Sequence, residues 1–300
     1  MTSRLTYTGG QSLYRAEYCR ATRTVWGTLE PKGIPCFSVE LLRDLSAHDQ
    51  RFRDAGGKVE IDGELCDVDF YVLAAGTPRV FSLGGDLSLF RAKIRSADRD
   101  ALARYARLCI DVMFPRLQNY GRSSLITITL VQGDALGGGL ECALASDVLI
   151  AEEEGQFGLP EILFNLFPGM GAYSLLARRI GRKAAEDMML SGRMYSAREL
   201  HEMGVIDVVV AAGQGEAAVE AWISRSMRHR NGRSAIYSAR RLVAPISREE
   251  LDAITGVWVD AALRLTDRDL KLMERIVEAQ TQRMDLGNSV EITGPRGRVL

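Results

Sequence analysis

Alternating and helical hydrophobic patterns divide the first 150 residues into short strands and helices. Alternation at residues 13–18 predicts edge strands within 1–35, and helical spacing over 37–53 predicts a helix that ends at a glycine pair. Four apolar runs predict further strands: 70–76, 80–83, 125–131 and 147–151. Helical patterns over 92–118 and up to residue 146 lie between these runs. Strands that alternate with helices are typical of βαβ units, so the chain is predicted to be an α/β protein with a parallel sheet.

After residue 172 the pattern becomes mainly helical, with one short strand at 205–210. Further helical periods cover 172–191, 196–203, 216–228, 233–242 and 247–284. The last stretch is polar and contains several glycines. We therefore predict a core over 1–210, a C-terminal helical region over 211–286 and a flexible tail over 287–300.

Composition and charge exclude several classes of protein. With 38 basic and 39 acidic residues the formal charge is −1, which gives no overall field to attract nucleic acid or an anionic membrane. No apolar run approaches the ~18 residues of a membrane span, and the N-terminus lacks a signal pattern. Five cysteines without a C-x-x-C pair indicate reduced thiols in a cytoplasmic protein. The three histidines are far apart, so neither a metal site nor a cofactor is predicted.

Two glycine-rich turns follow apolar strands and precede helical patterns, at residues 83–86 (LGGD) and 136–140 (LGGGL). Neither fits a phosphate-binding loop or a dinucleotide fingerprint. Glycine turns that open helices leave backbone N–H groups unpaired, and two such turns on adjacent strands could direct two donors at one oxygen, as in an oxyanion hole. The plainer interpretation is that both are tight turns that require glycine.

Two acidic residues accompany these turns. Glu141 follows the second turn on the first turn of its helix, and Glu161 follows Leu159-Pro160. Taken singly, Glu141 could be a helix-dipole residue and Glu161 a solvated turn residue. Two carboxyl groups that face one small site cannot both ionise easily, so one can act as base and the other as acid.

Two other charged stretches have plainer interpretations. The run 152–154 (EEE) is predicted to be a solvated loop between strands. Four arginines near His229 could meet a phosphopantetheine arm or an acidic carrier protein, although a solvated helix end is the simpler interpretation: Arg225, Arg228, Arg230 and Arg233.

Six motifs, in order and at family spacing, resemble the crotonase (enoyl-CoA hydratase/isomerase) superfamily. They are 81–86 (FSLGGD), 131–141 (VQGDALGGGLE), 145–147 (ASD), 157–162 (FGLPEI), 167–171 (FPGMG) and 196–207 (SARELHEMGVID). The match runs over about 70–210. Two further segments resemble one branch, the bacterial diffusible-signal-factor synthases of the Rpf type: 158–174 (GLPEILFNLFPGMGAYS) and 254–260 (ITGVWVD). With them the resemblance covers about 10–285.

The resemblance implies a fold, a site and partners. The fold is a crotonase-like spiral of ββα units with a C-terminal helical region, assembled as a homotrimer. The N–H groups of Gly85 and Gly138 would form the oxyanion hole, and Glu141 and Glu161 the catalytic acid/base pair. Four side chains would line an acyl tunnel: Leu136, Leu140, Met170 and Trp258. The substrate would be a thioester of an acyl carrier protein or of CoA.

Three functions agree with the sequence. The branch resemblance implies synthesis of a cis-2-unsaturated fatty acid signal, by dehydration of a 3-hydroxyacyl carrier protein and hydrolysis of the enoyl thioester. The superfamily motifs equally permit an ordinary enoyl-CoA hydratase or isomerase of fatty-acid metabolism. A regulatory protein that binds a sensor is the third. The sequence does not decide chain length, carrier protein against CoA, or which glutamate is the base.

Overall fold

The structure is a computed structural model that describes residues 3–7 and 12–291, with side chains as far as residue 279. The described strands are β1 (Leu5–Thr6), β2 (Tyr14–Cys19), β3 (Thr24–Leu29), β4 (Lys58–Ile61), β5 (Glu64–Asp67), β6 (Phe70–Ala75), β7 (Arg79–Ser82), β8 (Ile126–Val131), β9 (Gly133–Leu136), β10 (Val148–Glu152), β11 (Gln156–Gly158), β12 (Met194–Ser196) and β13 (Val208–Val210). The described helices are α1 (Val39–Asp54), α2 (Leu87–Arg95), α3 (Arg99–Leu117), α4 (Gly138–Leu144), α5 (Ala172–Ile180), α6 (Arg182–Ser191), α7 (Ala197–Glu202), α8 (Gly215–Met227), α9 (Arg230–Val243), α10 (Arg248–Ala262) and α11 (Asp267–Glu291).

Seven strands form the main sheet, in the order β1-β2-β3-β6-β8-β10-β13. The first three pair antiparallel, and β3, β6, β8, β10 and β13 pair parallel. Every residue of β8 and β10 is buried, as in parallel strands that are covered on both faces. The predicted α/β class with a parallel sheet is confirmed.

A second sheet runs beside the first, in the order β12-β11-β9-β7. Its strands β7, β9 and β11 pair parallel, and each follows directly on a strand of the main sheet. The chain thus repeats one unit three times, as β6-β7, β8-β9 and β10-β11, each followed by helix. This repetition confirms the expected spiral of ββα units with helices at the C-terminal side.

Helices cover both faces of the main sheet. On one face, Val219, Trp222 and Ile223 of α8 pack against Phe70 and its neighbours. On the other face, α1 and α3 lie against each other over the largest apolar cluster, and α10 packs against α3. Helix α11 contacts α2 and a 3-10 turn at Pro160–Phe164. The second sheet and this turn lie at the place where the two glycine turns meet.

Several predicted elements differ in extent. The helical period over 92–118 is two helices, because Ala97 has φ +51° and the side chain of Asp98 caps α3 by accepting from Ala101 N. The period over 172–191 is likewise interrupted, at Gly181 with φ +82°. Strands β4, β5, β9, β11 and β12 were not predicted, because runs of three or four residues carry too little alternation to be recognised.

The prediction of a solvated acidic loop at 152–154 is wrong for its first residue. Glu152 ends β10 with 7% of its surface exposed, and its Oε1 accepts from the N–H of Gly215 at the start of α8 (2.9 Å). Its carboxylate therefore stabilises the helix N-terminus. Glu154 is exposed as predicted. In the arginine stretch, Arg225 and Arg228 are exposed, whereas Arg230 forms an ion pair with the buried Asp69 (2.9 Å).

The predicted domain boundaries stay predictions. The boundary at 286/287 falls inside α11, and residues 292–300 of the predicted tail lie outside the described residues. Among the helices that the structure describes, none combines the length and the apolar character that crossing a bilayer requires.

Candidate active site

The two glycine turns lie side by side because the strands that lead into them, β7 and β9, are paired neighbours. Gly84 and Gly137 have φ values of +100° and +51°, which residues with a Cβ rarely adopt. A Cβ placed on Gly84 would be 3.2 Å from the nitrogen of Gly138, and one on Gly138 would be 3.4 Å from the nitrogen of Gly85. The two turns therefore lie next to each other, with the nitrogen atoms of Gly85 and Gly138 on the same side.

The backbone N–H groups of Gly85 and Gly138 have no protein acceptor in the described part of the chain. Their neighbours do have acceptors, since Gly84 N–H donates to Ser82 Oγ (3.2 Å) and Gly137 N–H donates to Gly158 O (2.8 Å). Gly138 is the first residue of α4, where N–H groups lack an intrahelical partner. Two adjacent donors of this kind can stabilise negative charge on one oxygen.

Glu141 lies on the first turn of α4 and is 2% exposed. Its Oε1 accepts two backbone hydrogen bonds, from the N–H groups of Met170 (2.8 Å) and Ala172 (3.0 Å). Burial raises the pKa of Glu141 to about 7, while the two N–H donors act in the opposite direction. The segment that follows the 3-10 turn therefore fixes the orientation of this carboxyl group.

Glu161 lies in the 3-10 turn, directly after Pro160. Its Oε2 is buried and, within the described residues, has no hydrogen-bond partner. Its Oε1 lies where a Cβ on Gly137 would be only 2.4 Å away. Burial and, to a smaller extent, the negative charge of Glu141 together raise the pKa of Glu161 to about 8. Near neutral pH the two carboxyl groups therefore share about one proton.

A cavity joins the two carboxyl groups to the glycine turns and continues into the apolar core. Two of the four predicted tunnel residues, Met170 and Trp258, line it. The indole of Trp258 packs edge-on against the ring of Phe90, with ring centroids 5.0 Å apart. Ile276 of α11 also lines the cavity, so the C-terminal helices form part of its wall.

The structure does not place the other two predicted tunnel residues, Leu136 and Leu140, at the cavity wall. Leu140 is fully buried in the apolar cluster, because the residue before Glu141 on α4 points about 100° away around the helix. Leu136 is the last residue of β9, and its carbonyl oxygen faces Gly84 instead.

Six polar side chains that the sequence did not indicate as site residues also line the cavity: Tyr14, Asp49, Tyr71, Tyr105, Arg116 and Tyr120. One signal was present, because Asp49 lies on the buried face of α1 with Leu41, Leu42 and Leu45. A charged residue on the apolar face of a helix indicates a buried polar contact. The tyrosines gave no such signal, since a tyrosine in a strand is ordinarily a core residue.

Among the described residues, no group of three or more His, Cys, Asp or Glu side chains is placed to hold a metal ion. The groups that the structure brings together here are two carboxyl groups, on Glu141 and Glu161, and the backbone N–H groups of Gly85 and Gly138. Such a site polarises a carbonyl group and moves protons at neighbouring carbon atoms.

Comparison with protein families identifies the class of enzyme. The enoyl-CoA hydratase/isomerase family model matches residues 67–253, which is more than half of the chain. The chain belongs to the enoyl-CoA hydratase/isomerase family. The matched region contains both glycine turns and both glutamates.

Individual relatives agree with this assignment. The chain is 33% identical over 178 residues to "Probable enoyl-CoA hydratase echA17" of Mycobacterium avium, an alignment that covers 59% of this chain and 65% of that protein. It is 35% identical over 184 residues to "Probable enoyl-CoA hydratase echA8" of Mycobacterium leprae, covering 61% and 63% respectively. The matched regions thus span less than two thirds of these relatives. The crystal structure of human mitochondrial delta3-delta2-enoyl-CoA isomerase has the same fold, with a TM-score of 0.72, 18% identity, and coverage of 91% of this chain and 99% of that one.

Proposed function

We propose that this protein adds water to, or removes it from, the C2–C3 bond of an acyl thioester. The observation that carries the proposal is the placement of two carboxyl groups with raised pKa values beside two backbone N–H groups that have no acceptor among the described residues, at one end of a largely apolar cavity. The names of the mycobacterial relatives, enoyl-CoA hydratases, support the same reaction.

In the dehydration direction, the thioester oxygen accepts from the N–H groups of Gly85 and Gly138. This polarisation makes the C2 proton acidic, and loss of one such donor typically costs about 3 kcal/mol of transition-state stabilisation. The carboxylate of Glu141, whose ionised form is stabilised by the N–H groups of Met170 and Ala172, takes the C2 proton. The electron pair of the C2–H bond forms the double bond as the C3–O bond breaks.

The departing hydroxyl group takes the proton of Glu161, which has the higher pKa, and leaves as water. Glu141 is then protonated and Glu161 ionised, and return of one proton from Glu141 to Glu161 restores the starting state. Hydration of an enoyl thioester is the reverse of these steps. The two glutamates therefore exchange the roles of acid and base between the two directions.

The experiment is to mix the protein with a trans-2-enoyl thioester of pantetheine and follow loss of the conjugated enoyl absorbance. Pantetheine is the part that CoA and acyl carrier proteins share, so the choice of carrier does not affect the result. We expect reversible formation of the 3-hydroxyacyl thioester, and we expect Glu141→Gln to slow it by about 10²–10⁴-fold. If the folded wild type neither adds water to the enoyl thioester nor removes it from the 3-hydroxyacyl thioester, the proposal is wrong.

A second candidate is synthesis of a cis-2-unsaturated fatty acid signal, by dehydration followed by hydrolysis of the thioester. It is favoured by the position of the two segments that resemble signal synthases, 158–174 and 254–260. Residues of both segments line the cavity, including Phe164, Leu166, Met170 and Trp258. In hydrolysis, water adds to the thioester carbonyl, the same two N–H groups stabilise the tetrahedral oxyanion, and the C–S bond breaks to release acid and thiol.

Product analysis distinguishes the two candidates. The protein is incubated with a 3-hydroxyacyl carrier protein, and the released acids are analysed by mass spectrometry. Free cis-2-enoic acid supports the signal synthase, whereas an equilibrium of thioesters without free acid supports the hydratase. A sensor partner and a trimeric assembly stay predictions from the resemblance.

A further inference from the structure

The cavity extends well beyond the reacting groups, along helix α3. Tyr105 lies at the level of the Gly85 turn, because its hydroxyl group donates to Phe37 O (2.6 Å), and Phe37 is bridged to Gly85. Four further residues of α3 line the cavity at successive turns: Cys109, Val112, Met113 and Arg116. Arg116 lies 11 residues after Tyr105 on the same helix. At a rise of 1.5 Å per residue the cavity therefore follows α3 for roughly 16 Å.

This length suits a medium-chain acyl group and is more than an acetyl or crotonyl group would fill. The wall changes character along the way. Leu42 and Leu45 of α1 line the cavity first, and Asp49 lines it one turn later. The level of Asp49 and Arg116 is also where Tyr14 and Tyr71 lie, so the cavity is apolar along its length and polar at its inner end.

The inner end is held in place by hydrogen bonds and ring contacts. The hydroxyl groups of Tyr14 and Tyr71 are 2.5 Å apart, and that of Tyr71 is 3.1 Å from Nδ1 of His48. The rings of Tyr71 and Tyr120 are stacked, with centroids 5.2 Å apart, and the hydroxyl group of Tyr120 donates to Asp49 Oδ1 (3.1 Å). Tyr14 and Tyr71 are each 1% exposed.

Gly27 on β3 provides the space for this arrangement. A Cβ at that position would lie 1.8 Å from the hydroxyl oxygen of Tyr14. Tyr14 can therefore lie across the neighbouring strand and reach Tyr71 only because residue 27 is glycine. The contact shows that the Tyr14 ring is fixed from the side of the sheet as well as by its hydrogen bond.

We propose that the hydrogen-bonded pair of Tyr14 and Tyr71 closes the acyl cavity and sets the longest straight acyl chain that the protein accepts, in the medium-chain range. This proposal rests on the proposed function, since it assigns the cavity to the acyl group of that substrate. A longer chain would have to separate two buried hydroxyl groups that, among the described residues, have no acceptors other than each other and His48. Leaving such groups unpaired is unfavourable, so the methyl end of the chain stops there.

The test measures binding of straight-chain saturated acyl-pantetheine thioesters of graded length by calorimetry, to the wild type, Tyr14→Leu and Tyr14→Phe. Each further buried methylene strengthens binding about fourfold. We expect this gain to end at a medium chain length in the wild type. In Tyr14→Leu it should continue for about two more methylenes. Tyr14→Phe keeps the ring and removes only the hydroxyl group, so the longest chains should bind at least a fewfold more tightly than they do to the wild type.

Tyr18→Leu and Tyr18→Phe are the matched controls. Tyr18 lies on the same strand, is 2% exposed and donates to Asp67 O, but it does not line the cavity. These variants should keep the wild-type length limit. An unchanged limit in folded Tyr14→Phe and Tyr14→Leu overturns the proposal, and Tyr14→Phe decides alone if Tyr14→Leu does not fold. Turnover of a short enoyl thioester is measured in parallel, to separate this result from failure of the proposed function. If the wild type does not turn over this substrate, the proposed function is wrong. If turnover is intact and the length limit is unchanged in the Tyr14 variants, only the proposed role of Tyr14 is wrong.

Discussion

A methyl group on Gly137 would lie 2.4 Å from Oε1 of Glu161, so the carboxyl group occupies space that the Cβ of any other residue would fill. The contact arises because β9, which leads into Gly137, pairs with β11, which leads towards Glu161. One residue therefore both forms the turn that exposes the Gly138 N–H group and leaves room for the second carboxyl group.

Replacement of this glycine should separate activity from stability. In Gly137→Ala the new Cβ would displace the Glu161 carboxyl group from the other reacting groups. A misplacement of about 1 Å can reduce the rate by about a hundredfold. We expect kcat on an enoyl thioester to fall by about that factor while the protein remains folded, as judged by circular dichroism and thermal unfolding.

Gly56→Ala is the control for the backbone penalty. Gly56 has φ +65°, close to the +51° of Gly137, but a Cβ on Gly56 meets nothing within 4 Å. Gly56→Ala should lose about 1–2 kcal/mol of stability from positive φ. Gly137→Ala should lose more, because the Gly137 ψ of −123° lies outside the left-handed region that residues with a Cβ can adopt, and only Gly137→Ala should lose activity. Equal activity in the two variants would show that the contact with Glu161 is irrelevant to the reaction.

Neutral replacement of either glutamate should remove activity without unfolding the chain. In Glu141→Gln the amide oxygen can still accept from the N–H groups of Met170 and Ala172, so the local structure should be retained. Each of Glu141→Gln and Glu161→Gln should lower kcat by about 10²–10⁴-fold, the usual contribution of a positioned acid or base. Steady-state kinetics on a 2-enoyl thioester measures the loss.

The exposed Glu60 offers a control for this pair, since Glu60→Gln on β4 makes the same chemical change away from the cavity. It should leave kcat within about twofold. A Glu161→Gln variant with wild-type kcat would remove Glu161 from the mechanism and leave Glu141 as the only proton carrier.

The pH dependence of kcat/KM should form a narrow bell. The pKa values of Glu141 and Glu161 are raised to about 7 and about 8. Below about 7 both groups are protonated and the base is missing, and above about 8 both are ionised and the acid is missing. Activity should therefore be highest between these values. A rate profile across this range, with a substrate that does not titrate, measures it; a broad plateau from pH 5 to pH 9 would contradict a shared proton.

The sequence predicted most of the frame of the site, because long periodic segments carry strong signals. The helical spacing at 37–53 corresponds to α1, and the apolar runs at 70–76 and 125–131 correspond to β6 and β8. The two glycine turns were recognised by position. A meeting of the two turns could be considered at all because consecutive strands of βαβ units are usually neighbours in the sheet.

What the sequence did not show depends on long-range contacts. The helix is interrupted at Ala97, and the side chain of Asp98 caps the helix that follows. Because the apolar spacing continues across this interruption, the sequence pattern predicts one helix where there are two. Tyr14 and Tyr71 are far apart in the chain and meet only because β2, β3 and β6 are adjacent in the sheet. Side chains brought together in this way leave no mark in a local pattern.

The buried carboxylate of Asp147 should make a large contribution to stability without a role in catalysis. Asp147 is 4% exposed and accepts from Thr127 N (3.1 Å), and its other oxygen forms ion pairs with Arg240 (3.0 Å) and Arg241 (2.9 Å) of α9. Asp147→Asn removes both ion pairs and so weakens the attachment of α9 to the main sheet. We expect a loss of about 3 kcal/mol, the lower end for a broken buried pair, because Arg240 is 47% exposed.

Urea unfolding of Asp147→Asn and of Asp260→Asn compares a buried ion-paired aspartate with an exposed one in the same protein. Asp260 pairs with Arg99, but both side chains are about half exposed, so its replacement should cost less than about 0.5 kcal/mol. Neither residue lines the cavity, and kcat well below the unfolding temperature should stay within about twofold of the wild type for both. Equal losses of stability in the two variants would show that burial does not increase the contribution of the Asp147 ion pairs to the free energy of unfolding. The attachment of α9 to the main sheet would then have to depend on its apolar contacts.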